Sequence, residues 1–67
     1  MEGDDVARGV AHFLIVHDRE GRFHWVLINP HGTPMGRAME SFNTEDEAVV
    51  NAEYAQRLIS PAPIIRS

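Results

Sequence analysis

The sequence predicts a small α+β domain: a three-stranded antiparallel meander, one helix and a short C-terminal strand. Three observations carry that prediction. Two turn signals of the same layout, Asp18-Arg19-Glu20-Gly21 and Asn29-Pro30-His31-Gly32, punctuate three β-prone runs. Thr44-Glu45-Asp46-Glu47 has the form of a capping box and opens a segment with alanines at helical spacing. Ile64-Ile65, after Pro61 and Pro63, is too apolar for a frayed end and suits a further strand.

Residues 1–11, with Glu2, Asp4, Asp5 and little apolar mass, read as a flexible N-terminal tail, leaving 12–67 as one β3-α-β domain. His12 to His17 holds the run Phe13-Leu14-Ile15-Val16, too short for a helix and rich in strand formers. Arg22 to Ile28 is the second strand. Pro34 to Ser41 is a poorer third, and its Pro34 and Gly36 suit a sheet edge. Each turn runs Asx, two residues, Gly, which is the pattern of a type I turn closed by a left-handed glycine bulge. Asp18 then pairs with Arg22 and Asn29 with Thr33. That register puts Phe13, Ile15, Phe23, Trp25, Leu27, Met35 and Met39 on one face of the sheet. Leu14, Val16, Val26, Ile28, Gly36 and Ala38 fall on the other, with His12 and His24 near its ends. A slip of one residue between two strands exchanges the sets.

The helix begins at Thr44, whose hydroxyl reaches the Glu47 amide while the Glu47 carboxylate reaches back. Acids in the first turn suit the positive end of the helix dipole. Ala48, Ala52, Ala55 and Ile59 form its buried stripe, flanked by Val49 and Leu58, and Pro61 ends it. Small residues fit best against the face with large side chains. The Leu14/Val26 face is then left without a cover, and a second copy of the chain is the simplest one.

Composition narrows the function classes. A chain of 67 residues makes one domain, and 43% hydrophobic with 24% charged residues is the balance of a folded protein. Without cysteine, neither a disulfide framework nor a thiolate zinc site is open to it. For so small a domain the usual remaining source of stability is self-association. No apolar stretch has the length of a membrane span, and Met1-Glu2-Gly3-Asp4-Asp5 is acidic where a signal peptide is basic. Gly3 stands one place too late for myristoylation. The expected location is cytoplasmic. A net charge of −4 and a pI near 5.4 argue against nucleic acid, which needs clustered basic residues; all six basic residues are arginines spread from Arg8 to Arg66.

The chemistry-bearing residues are few. In the register above, His12 and His24 stand about 13 Å apart at ~3.3 Å per residue. His17 points to the opposite face and His31 lies in a turn, so one chain cannot gather the four; a site across a dimer axis stays open. Ser41, Ser60 and Ser67 lack the neighbouring base that a nucleophile needs, and there is no phosphate-cradling glycine loop. The sequence therefore offers no catalytic residue, no metal ligand set and no cofactor site, and the chain is expected not to be an enzyme. Phe23 and Trp25, with Arg22 and Arg37, could stack bases as sheet platforms do. Periodicity instead places both rings in the core, with Arg37 lying over Trp25. The expected function is a non-catalytic homodimeric binding or scaffold module, with a single-stranded nucleic-acid binder as the alternative.

The run Phe13-x-Ile15-x5-Gly21-x-Phe23-x-Trp25-x-Leu27, the turn ending in Gly32 and the helix opened near Thr44 together resemble the YegP-like family of small domains. The resemblance covers Phe13 to Leu58. It implies a three-stranded sheet, a helix and a C-terminal strand that can be exchanged between two paired copies; Ile64-Ile65 would be that strand. The chain departs from the family pattern at His31, where Asn is usual, and at His24 and Val26, where Arg is common. It is also one residue longer between Gly32 and Phe42. No catalytic residue follows from the resemblance. The expected dimer interface is Leu14, Val16, Val26, Ile28, Ala38, Ile64 and Ile65, with Gly21, Gly32, Thr44 and Glu47 as the turn and cap residues.

Overall fold

The two hairpin turns are built alike, and each is dictated by its first and last residue. At the first, Asp18 N–H donates to the Arg22 carbonyl at 2.9 Å and Gly21 N–H to the Asp18 carbonyl at 3.2 Å. The Asp18 carboxylate accepts from the Glu20 and Arg22 amides, each at 2.9 Å. Asn29 repeats the arrangement with Thr33, Gly32 and His31. The closing glycines have φ of 79° and 87°, where a side chain is strained. Nothing lies within 4 Å of a Cβ built on either. The cost of Gly21→Val is therefore backbone strain alone, about 2 kcal/mol. A thermal melt superimposable on that of the wild type would remove the bulge assignment.

The Arg22 amide, more than any other neighbour, holds the Asp18 carboxyl below its ordinary range, with the Glu20 amide adding to the effect and desolvation opposing it. A lowered folded-state value means that this contribution is present above the ordinary carboxylate range. It is lost as pH falls through the folded value.

The computed structural model describes residues 10–59 and 61–66; the tail expected over 1–11 lies, for residues 1–9, outside them. β1 (His12–His17), β2 (Phe23–Ile28) and β3 (Pro34–Arg37) precede helix α1 (Glu45–Leu58), and β4 (Ile64–Arg66) follows it. They make one four-stranded sheet in the order β3-β2-β1-β4, with β4 parallel to β1 and the other pairs antiparallel. The β1–β2 ladder runs from His12↔Ile28 to His17↔Phe23, the register expected from the first turn.

The second ladder corrects the expected register. It starts as the turn dictates, with Ile28 opposite Pro34, then shifts by one so that Leu27 faces Gly36 and Val26 faces Arg37. Met35 is left over as a bulge, which reverses the facing of every later residue. Ala38, expected on the open face and in the dimer interface, turns inward and is only 5% exposed, its N–H bonded to the Trp25 carbonyl at 3.0 Å. Met35 and Met39, expected in the core, are exposed, and Arg37 pairs with Val26, so that Ala38 rather than Arg37 stands opposite Trp25. The strand also stops at Arg37 instead of Ser41. Residues 39–41 loop outward before Phe42 and Phe23 exchange two backbone hydrogen bonds at 2.7 and 2.8 Å.

The helix begins as its sequence requires. Glu47 N–H donates to Thr44 Oγ1 at 3.2 Å, and Thr44 N–H donates to Glu47 Oε1 at 3.2 Å. Thr44→Ala should cost about 1 kcal/mol in a denaturation experiment. Thr33→Ala should cost little, because the turn uses only the Thr33 backbone. Equal losses would place the helix start elsewhere.

Ala48, Ala52 and Ala55 are buried against Phe13, Ile15 and Trp25, and the small methyls let the helix lie close to the rings. Phe13 and Trp25 meet edge to face with centroids 5.3 Å apart. Ile59, expected to continue the stripe, is instead the exposed C-cap. The chain turns there, and Ala62 takes the core position, its carbonyl accepting from Gln56 Nε2 at 2.7 Å. The Phe13 amide then bonds to the Pro63 carbonyl at 2.7 Å and seats β4.

Candidate functional site

Helix α1 packs on one face of the sheet, and among the described residues no element covers the other. Residues paired across strands share a face. One such row crosses all four strands: Ile65 beside Leu14, Leu14 opposite Val26, and Val26 opposite Arg37. Val16 with His24 lies on one side of the row, and Ile28 with His12 on the other. Leu14, Val16, Val26, Ile28 and Ile65 are each half-buried, and together they form an apolar centre. Arg37 marks the β3 end of the row. His12 is buried at one corner, its Nδ1–H donating to the Val10 carbonyl at 3.0 Å.

Five of the expected interface residues thus come together, and two do not. Ala38 is removed by the bulge. Ile64 pairs with Phe13 and therefore packs against the core, because in a strand only alternate residues reach a given face.

Of the residues that could stack on or hold a nucleic acid, Trp25, Arg22 and Phe23 are engaged within the chain, while Arg37 is exposed. Trp25 is 7% exposed beneath the helix, its indole N–H donating to Asn51 Oδ1 at 2.8 Å. The Arg22 guanidinium grips the loop before the helix: Nε to Ser41 Oγ at 2.8 Å, Nη2 to the Ser41 carbonyl at 2.6 Å and Nη1 to Asn43 Oδ1 at 3.0 Å. Phe23 is half-buried and stacks on His17, with centroids 4.5 Å apart and planes 5° from parallel. Among the described residues, no group of three or more His, Asp or Glu side chains is placed to hold a metal ion. No described helix is long and apolar enough to cross a membrane.

No family model, curated protein or solved structure matches the chain.

A second surface escapes the reading of sequence periodicity. The outward loop at Met39 and the outer side of the helix enclose a groove of ≈ 410 Å³, reached by Phe42, Tyr54 and Leu58. A shallower hollow of ≈ 570 Å³ adjoins it along Val50, Tyr54 and Arg57. Val50, Tyr54 and Leu58 recur every four residues along the flank of the helix beside the alanine stripe, which was the available signal. Asn51 was also readable, since a buried tryptophan needs a partner for its N–H.

Proposed function

We propose that the chain is a non-catalytic homodimeric binding or scaffold module whose open sheet face seats a second copy. The observation that carries this reading is the apolar centre formed by Leu14, Val16, Val26, Ile28 and Ile65, on the face opposite the helix. Contiguous apolar surface of this kind marks an interface, and two-fold pairing is the commonest way to cover it. An apolar sheet face suits an isologous contact, in which Leu14 and Val26 of each copy meet near the axis.

The resemblance to the YegP-like family supports the same reading, because single copies in that pattern pair. In a pair with exchanged strands, β4 of one copy would lie against β1 of the other in the parallel register that β4 makes here. The Pro61-Ala62-Pro63 connection is a suitable hinge, since prolines favour extended backbone over a continued helix.

The test is sedimentation together with thermal melting over about a hundredfold range of protein concentration. Association and a melting temperature that climbs with concentration are expected. A monomer with an invariant melting temperature would overturn the reading.

A further inference from the structure

The outer side of α1 is the second apolar surface, and its charges are arranged for a partner running the other way. Val50, Tyr54 and Leu58 are 63%, 60% and 68% exposed, and Met39 beside them is 98% exposed. With Ile59 they make five large side chains which, at roughly 150–200 Å² of full surface each and about two-thirds exposed, present about 600 Å². That is at the upper limit of what monomers leave uncovered. It also approaches the ~800 Å² that each partner contributes to a stable contact.

Val50, Tyr54 and Leu58 form an i, i+4, i+8 ridge, the element that packs into the groove of another helix. Asp46 continues the ridge by one turn at its N-terminal end, and Arg57 lies beside it at the C-terminal end. Eleven residues separate them, three turns or about 16 Å at 1.5 Å per residue, so they cannot pair within one helix. Asp46 has only a 3.5 Å contact with Arg66, and its side chain is 86% exposed. Arg57 is exposed as well. In an antiparallel pair with the two-fold axis beside residue 52, the same flanks meet and opposite ends align. Val50 then faces Tyr54 of the second copy, and Asp46 comes beside the second copy's Arg57, twice over by symmetry. Antiparallel helix dipoles favour the same arrangement.

The geometry points to a second homotypic interface, in which α1 packs antiparallel against α1 of another copy through Val50, Tyr54 and Leu58, locked by Asp46–Arg57 pairs. This contact is independent of the sheet face. With their two axes perpendicular, two distinct two-fold contacts on one chain close a dimer of dimers.

A charge swap in the full chain tests it. In Asp46→Arg or Arg57→Asp alone, like charges meet at both ends of the helix pair. Each single variant should lose the helix contact, seen as a drop from tetramer to dimer in sedimentation. The double variant Asp46→Arg/Arg57→Asp should regain the tetramer. Rescue is diagnostic, because the unfavourable effects on each helix's own dipole add in the double variant and cannot restore anything. Circular dichroism establishes that each variant is folded. Single variants that assemble like the wild type, or a double variant no better than the singles, would overturn the inference. So would a wild-type dimer that Val26→Asp turns into monomers, an outcome that leaves the sheet-face reading standing. Loss of assembly in Arg57→Asp but not in Val26→Asp would instead support the helix contact and reject the sheet face.

Discussion

Val26→Asp is expected to halve the mass of the particle in solution and to abolish the part of its concentration dependence that comes from the sheet face. Val26 stands in the row that crosses all four strands, between Leu14 and Arg37. In a single chain a carboxylate there keeps access to water and has a guanidinium directly across the ladder. The cost to the fold is then the roughly 1 kcal/mol of poor strand propensity. In a paired sheet face the same carboxylate is desolvated against apolar side chains, at several kcal/mol per copy. The difference between the two states is what drives dissociation. Leu14→Asp places the charge between Val26 and Ile65, with no cation on either side, and should dissociate the pair at least as completely. Sedimentation of both variants beside the wild type is the check. A wild-type mass for both would mean that the sheet face is not the contact.

Deleting residues 61–67 should have the largest effect on stability. It removes Ala62 and Ile64 from the core and the carbonyl partners of Gln56 and Phe13. The Arg66–Glu45 ion pair at 2.7 Å also goes, but a half-exposed pair is worth little. A combined loss of about 3 kcal/mol would lower the melting temperature of a domain this size by roughly 12–24 °C. Deletion also turns β1, with its apolar run Phe13-Leu14-Ile15-Val16, into an unprotected edge, so the truncated chain should aggregate on heating. If β4 is exchanged, association should weaken along with stability. A truncated protein that remains an equally stable dimer would reject the exchange, and one that melts lower while pairing as tightly would confine β4 to its own chain.

Local chemistry determined the two turns, the first ladder and the start of the helix, and the sequence by itself was enough to read them. Asp18 and Gly21 bond within a span of five residues, and Thr44 and Glu47 within one helical turn, so no distant part of the chain can alter the choice. The register from His12↔Ile28 to His17↔Phe23 followed from the turn alone. The second ladder did not. Its turn is equally well marked, but a bulge one residue further on costs little locally, and packing decides where it falls. Leaving Met35 unpaired brings Ala38, rather than Met39, under a helix held close by Ala48, Ala52 and Ala55. Ile59 stays outside and Ala62 enters the core instead, its carbonyl held by Gln56. Periodicity along one element cannot foresee that, since the vacancy belongs to the assembled layers. That Ile65 joins Leu14, Val16, Val26 and Ile28 on the open face while Ile64 turns to the core, and that Tyr54 and Leu58 border a groove with Met39, were settled only when the strands and the helix were placed against one another.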